Sequence, residues 1–344
     1  MKKNLILFLV AMLAIIVILA VVSLYLYESS NTIVSSSRFA FYEASTGNMY
    51  FGGEGGYSIV NGTNGKLIQT VELNDTSPYG DVYYMNFSSK YAYVDYGVPM
   101  MDGEPHYLYL IGIKNNSILK IIYLCGTSCG TQIAYDSQNN YVYLPTDYTK
   151  FVTKNWGTYN TTIEYYSIST INANLTSNMD NLSLITANYS SGFFYNNQNK
   201  YIYSISNPIQ ILNGSNNQFI DNITPGGFSS FIKTAFNPAD NQLYVPYVDS
   251  LYIANLSNNS FINRINFSKN GSLRGLTYDS SNGYLYILWG YTFNSTNEIM
   301  VMNATTYNIL YNRTSENITS IVYDPKNNKI YAASSNGQLS IINS

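Results

Sequence analysis

The chain is poor in the residues that usually carry chemistry. Its 344 residues include one histidine, His106, two cysteines and two tryptophans. Lysine, arginine, aspartate and glutamate together make up only 11% of it, with a formal net charge of −3. So thin a balance builds no basic patch, which removes nucleic acid from the expected partners. No spaced aspartate cluster of the calcium-loop kind occurs, and no phosphate loop or nucleophile elbow. The sequence therefore points to no metal, no cofactor and no catalytic residue.

Long hydrophobic runs are also scarce, with one exception. Lys2 and Lys3 precede an unbroken apolar run from Leu5 to Val22, extended through Leu24 to Tyr27. At 1.5 Å per residue it spans roughly 34 Å, enough for a bilayer core of about 30 Å. The lysines set the N-terminus in the cytoplasm and everything after Tyr27 outside. The alternative is a cleaved signal peptide, whose apolar core is usually shorter, about 7–15 residues. The expected organisation is a cytoplasmic stub and transmembrane signal-anchor at 1–27, a linker at 28–31 and one domain at 32–344. The expected location is the cell membrane, single-pass with the C-terminal domain outside, or secreted if the segment is cleaved.

What replaces charge is tyrosine, with 36 residues, together with asparagine, serine and threonine. Tyrosine, isoleucine, valine and threonine suit a pleated, half-buried surface, so the chain is β-prone. Asparagine also creates eighteen Asn-x-Ser/Thr acceptor sites. The 45 asparagines and 64 serines plus threonines predict roughly 8 by chance. The excess argues for a glycosylating exterior, with Asn61, Asn74, Asn115, Asn160, Asn222, Asn258, Asn270, Asn294 and Asn317 as candidate sites. Outside the cell, Cys125 and Cys129 would close a short disulfide loop worth about 2 kcal/mol. Free thiols and a metal pair are the other readings.

The domain is repetitive. Seven anchors fall at Tyr42, Met85, Tyr135, Tyr195, Phe236, Tyr278 and Tyr323, and each is followed eight residues later by a tyrosine: Tyr50, Tyr93, Tyr143, Tyr203, Tyr244, Tyr286 and Tyr331. Turn-formers such as Asp-Ser-Gln-Asn-Asn from 136 and Asp-Pro-Lys-Asn-Asn from 324 lie between them. They supply positive φ and local side-chain hydrogen bonds, so each unit opens as a hairpin of strands A and B, followed by strands C and D. A period near 40–45 residues with short strands is that of a propeller blade. The expected fold is all-β, a seven-bladed β-propeller behind one N-terminal transmembrane helix. The last repeat stops after strand C. Thr32–Ser36 is expected to complete it as an outer strand, sending the anchor off the face opposite the long loops.

The motif Tyr-Asp-x5-Tyr-Val-Tyr, clearest at Tyr135–Leu144, Phe236–Val245, Tyr278–Ile287 and Tyr323–Ala332, resembles the YVTN family of β-propeller repeats of bacterial and archaeal surface proteins. The resemblance covers roughly residues 32–344. It departs in its Asn-rich turns, which stand where Asp-Gly is usual, and in a strand C without the common Val-Ile-Asp ending. The bias toward Tyr, Asn, Ser and Thr is similar to that of archaeal glycosylated surface proteins. The resemblance implies recognition, adhesion or scaffolding outside the cell, through a surface protein or glycan, with membrane contact through the N-terminal helix.

Three B–C loops are expected to be long: Asp95–His106, Asp147–Thr162 and Trp289–Asn297. They carry Tyr96, Met100, Tyr148, Phe151, Trp156, Tyr159, Trp289 and Tyr291 as a candidate ligand face. The alternative is that these loops bury their aromatics against each other. Some seven-bladed propellers are lactonases or lyases working at the central channel. An extracellular hydrolase or lyase of that kind is the second reading, with His106 otherwise an ordinary loop residue. The residues lining the channel discriminate between the two.

Overall fold

The computed structural model describes residues 33–34, 37–73, 79–98, 105–125, 132–148, 154–156, 159–161, 165–172, 180–181, 190–224, 233–247, 249–267, 271–291 and 296–342. The apolar N-terminal run and the 28–31 linker lie outside these residues. The rest is strand and turn. The first blade comprises β1 (Phe39–Glu43), β2 (Asn48–Gly53), β3 (Gly56–Asn61) and β4 (Leu67–Glu72). The second comprises β5 (Asp81–Phe87), β6 (Tyr91–Gly97), β7 (His106–Gly112) and β8 (Ser117–Cys125). The third comprises β9 (Ala134–Asp136), β10 (Tyr141–Tyr148), β13 (Tyr165–Asn172) and β14 (Asp180–Asn181), with a separate hairpin of β11 (Lys154–Trp156) and β12 (Tyr159–Thr161) inserted between β10 and β13. The fourth comprises β15 (Phe193–Asn196), β16 (Tyr201–Ser204), β17 (Ile209–Asn213) and β18 (Phe219–Ile223). The fifth comprises β19 (Ala235–Asn237), β20 (Gln242–Pro246), β21 (Ser250–Asn255) and β22 (Ser260–Asn266). The sixth comprises β23 (Gly271–Asp279), β24 (Tyr284–Tyr291), β25 (Thr296–Asn303) and β26 (Ile309–Glu316). A last sheet has three strands, β27 (Ile318–Asp324), β28 (Lys329–Ser334) and β29 (Leu339–Ile342).

Every neighbouring strand pair is antiparallel, and every sheet is an up-and-down meander in chain order, A to D from the axis outward. The count corrects the expectation. There are six four-stranded blades rather than seven, and the seventh repeat yields the three-stranded sheet.

The turns form as their residues dictate. Asp136 Oδ1 accepts from the backbone N of Gln138 at 2.9 Å and of Asn139 at 3.2 Å. Asp324 does the same for Lys326 and Asn327, and Asn237 for Ala239 and Asp240. In six of the seven sheets the residue before strand B takes positive φ: Gly47, Asn140, Lys200, Asn241, Gly283 and Asn328. Asparagine and glycine tolerate that region, which is why the A–B turns are rich in them. The C–D turns repeat the device. The side-chain oxygens of Asn61, Asn213, Asn255 and Asn303 accept from the backbone N of Thr63, Ser215, Ser257 and Thr305 at 2.8–2.9 Å.

Between blades, tyrosine makes the joint. The strand-B tyrosines are almost wholly buried, and four of them donate a hydrogen bond into the C–D turn of the next blade. Tyr143 reaches Asn217 Oδ1 at 2.5 Å, Tyr203 the Leu256 carbonyl at 3.5 Å, Tyr244 the Ala304 carbonyl at 3.2 Å and Tyr331 the Gly62 carbonyl at 2.9 Å. The Tyr331 bond joins the last sheet to the first blade and so closes the ring. The strand-A anchors lean the other way. Burial, with the preceding blade's turn acid beside it, pushes the hydroxyls of Tyr42 (Asp324), Tyr195 (Asp136) and Tyr323 (Asp279) above the usual tyrosine range.

Closure differs from the expected outer strand. Ile33 and Val34 form no strand. Ile33 N donates to the Gly337 carbonyl, in the β28–β29 turn, at 2.9 Å, and Val34 N donates to Ser58 Oγ on β3 at 2.9 Å. The Ile33 side chain is buried with Phe51, Val60, Val322 and Tyr331, so it wedges between the last sheet and the first blade. An isoleucine so placed buries more apolar surface in the seam than it would on the rim. Thr32, Ser35 and Ser36, the rest of that segment, lie outside the described residues.

The joint is shown for four of the seven tyrosines; Tyr93 donates to Ser88 Oγ in its own blade at 3.4 Å, and the sixth blade's tyrosine has a different neighbour. The last sheet has no C–D turn among the described residues, and the Tyr286 hydroxyl is buried with no hydrogen-bond partner there. Tyr331→Phe should therefore lower stability by about 1 kcal/mol, whereas Tyr286→Phe should leave it unchanged or raise it. Urea unfolding of the two variants checks this, and equal losses would contradict it.

Candidate functional site

The innermost strands of the six full blades enclose a cavity of about 340 Å³ on the ring axis. Phe41 comes from the first blade, Tyr84 and Asn86 from the second and Gln132 to Tyr135 from the third. Phe193 to Tyr195, Lys233 to Phe236 and Leu276 to Tyr278 come from the next three. Aromatic faces dominate. Phe194 and Phe236 lie 5.1 Å apart between ring centroids, and Phe39 and Tyr84 lie 4.8 Å apart. The neutral polar side chains are already engaged. Asn86 Nδ2 donates to the Ile133 carbonyl at 2.8 Å. Gln132 Nε2 donates to Thr234 Oγ1 at 2.9 Å, and Thr234 N donates back to Gln132 Oε1 at 3.0 Å. Thr277 Oγ1 accepts from Tyr323 N at 3.1 Å.

Lys233 is the one charged residue lining the cavity among the described residues. It stands just before β19 and reaches across the axis to the first blade, with Nζ 4.5 Å from the Phe41 ring centroid and 5.5 Å from that of Phe39. Such contacts hold a cation without neutralising it. Burial lowers the amine to about 8. Sequence reasoning passed over this residue. Its signal was a lone cation inside the apolar run Phe231-Ile232-Lys233-Thr234-Ala235-Phe236, in a chain where cations are few. Among the described residues, no aspartate, glutamate or histidine lines the cavity.

The candidate loop face divides. Tyr96 and Trp289 are wholly buried strand residues, which corrects their placement on exposed loops. In each case a glycine at the start of the blade's first strand, Gly80 just before β5 or Gly271 opening β23, leaves room for the ring. A side chain on Gly80 would collide with the Tyr96 ring, and one on Gly271 with the Trp289 indole. Tyr96 packs edge-on to Tyr109 at 5.4 Å, and Trp289 against Phe267 at 5.2 Å. Tyr148 and Tyr291 end β10 and β24. Trp156 and Tyr159 are register partners in the β11–β12 hairpin. Met100 and Phe151 lie outside the described residues.

His106 is not a loop residue either. It opens β7, nearly fully buried, with Nδ1 2.8 Å from Asp95 Oδ1 on β6. Tyr83 lies 5.1 Å from its ring, and Arg38 binds the Tyr83 hydroxyl at 3.1 Å and the Asp81 carboxylate at 3.0 Å. Among the described residues no cluster of three metal-ligating side chains forms. Cys125 ends β8 and is disulfide-bonded, while Cys129, the only other cysteine, lies outside the described residues.

Of the candidate glycan sites, Asn115, Asn222, Asn258 and Asn317 are exposed, Asn61 is half-buried in its turn, and Asn160 lies in β12. Asn74, Asn270 and Asn294 lie outside the described residues.

A feature that the repeats did not announce is the rim. Apart from Tyr79, every large exposed hydrophobic side chain among the described residues lies on the outermost strand of a sheet: Ile68, Leu119, Tyr123, Phe219, Ile220, Phe261, Ile262, Ile309, Leu310, Tyr311 and Ile341.

The ring of radial meanders defines the chain as an all-β propeller. Comparison with solved structures agrees. The chain is similar to one in a crystal structure of the mitotic checkpoint complex, with a TM-score of 0.63 over 91% of this chain and 90% of that one, at 10% identity. At that identity the likeness concerns the fold alone. No protein-family model matches the chain, and no curated protein does.

Removing His106 breaks its buried hydrogen bond to Asp95, so His106→Ala should lower stability by about 1–3 kcal/mol, read by chemical denaturation. Expressed in a glycosylating host, the chain should carry sugar at Asn115, Asn222, Asn258 or Asn317 and none at Asn86, whose amide is committed to Ile133. Glycopeptide mapping checks both halves.

Proposed function

We propose that the chain is a non-catalytic recognition or scaffolding propeller of the YVTN type, held at the outer cell surface and working by binding protein. The observation that carries this reading is the apolar rim. Side chains such as Phe219, Phe261, Ile309 and Tyr311 are each 39–50% exposed on edge strands. Monomeric soluble proteins keep large contiguous apolar patches off their surface, and patches of this kind usually mark contact sites. The β11–β12 hairpin, which forms its own sheet beside the third blade, offers a second projection for a partner. The similar solved chain belongs to a protein complex, which fits a propeller frame used to hold other proteins.

Placement outside the cell rests on the sequence: the apolar run at 1–27, the excess of acceptor sites and the YVTN-like repeats. Turn geometry accounts for some of those sites, because Asn61, Asn213, Asn255 and Asn303 each serve a C–D turn as well as an acceptor motif. The exposed ones beyond those turns carry the argument.

Cross-linking the full chain on cells of its source and identifying the captured protein tests the reading. Ile262→Asp with Leu310→Asp should reduce capture at least severalfold while leaving the melting transition in place. Trp156→Ala with Tyr159→Ala separates the hairpin from the rim. Capture that survives both pairs of changes would defeat the proposal.

A further inference from the structure

We propose that the axial cavity binds a small organic carboxylate with a flat apolar body, its carboxylate on Lys233 Nζ and its body among the aromatic rings. This inference goes beyond protein binding at the rim and does not depend on it.

Three observations converge. First, the cavity has the size of a ligand pocket, about 340 Å³, and its walls set aromatic rings beside polar groups. Second, the amide and threonine side chains of the lining are taken. Asn86, Gln132, Thr234 and Thr277 spend their hydrogen bonds on the protein. Third, Lys233 is not taken. Among the described residues no carboxylate or other acceptor meets Nζ, and its printed contacts are the faces of Phe39 and Phe41. The eight residues before it, Pro-Gly-Gly-Phe-Ser-Ser-Phe-Ile, include no acid. Lys233 is half-buried, and a cation held among rings without an anion is poised to receive a negative charge.

The wall selects the rest of the ligand. Phe41, Phe194, Phe236 and Tyr278 come from four different blades and present flat faces to one space. Aromatic and conjugated bodies fit such walls through offset or edge-on contacts. With the amine lowered to about 8, the cation is present at neutral pH and lost just above it. Affinity for a carboxylate should hold from pH 6 to 7 and be roughly tenfold weaker at pH 9.

The rival is that Lys233 is only a brace, pinning the fifth blade to the first across the axis. Isothermal titration of the full-length chain with 2-naphthoate, and with its neutral isostere 2-naphthamide, separates the two. The proposal expects the acid to bind at least tenfold more tightly than the amide. Lys233→Met, which keeps the stem and removes the charge, should erase that difference, and Lys233→Arg should retain it. The pH series on the unaltered chain gives a reading that does not depend on either variant folding. Equal binding of acid and amide, no binding of the acid at millimolar concentration, or a pH-independent affinity would each overturn the site and leave the brace.

Discussion

The ring depends on tyrosines packed in its seams, four of which hand a hydroxyl from one blade to the next. A tyrosine on strand B lies in the seam between sheets and donates to the C–D turn of its neighbour, as Tyr331 does to Gly62. The ring carries most of the energy by burial, about 1.5–3 kcal/mol for a large side chain. The hydroxyl contributes only about 1 kcal/mol, yet it fixes how far one sheet can slide or tilt on the next. Repeated around the axis, that restriction sets the size of the hole in the middle. The cavity's walls are therefore a consequence of the seams. Tyr286, whose hydroxyl finds no acceptor, marks the seam where this restriction is missing.

Much of this was legible because it is local. An eight-residue offset between two aromatics is what a hairpin with a four-residue turn requires, so the anchors located strands A and B of every sheet. Asp136, Asn237 and Asp324 announced their turns by residue type alone. Loop lengths were read less well. Strands β6, β7, β24 and β25 run further than the turn residues suggested, and Tyr96 and Trp289 were absorbed into them. The glycines that make room for those rings, Gly80 and Gly271, lie across a strand pair from them, a relation no linear pattern displays. Ile33 was assigned to the rim because the last sheet lacked a strand, but an isoleucine beside Phe51 and Tyr331 buries more in the seam.

The cavity was the least legible part for a simple reason. It is assembled from short pieces of one to four residues from each of six blades, spaced some forty or more positions apart. The spacing reads as repetition, and repetition reads as scaffold. Lys233 breaks the repeat, since no other lining residue is charged, but its neighbours Phe39 and Phe41 stand some 190 positions earlier. Only the closed ring brings them together. His106 and Asp95 make the same point at shorter range: eleven residues apart in the chain, they are joined across adjacent strands.

The C–D turns bear on timing. In Asn61-Gly-Thr63 and its counterparts at Asn213, Asn255 and Asn303, the asparagine that a glycosylating enzyme would read is the one that ties the turn. The enzyme needs the side chain free, and the folded turn holds it. Modification and folding then compete for the same three residues, and whichever comes first decides the outcome. Sugar found at these positions would record a blade that closed late, and bare asparagine one that closed early. The pattern of occupancy around the ring would preserve the order in which its blades were made.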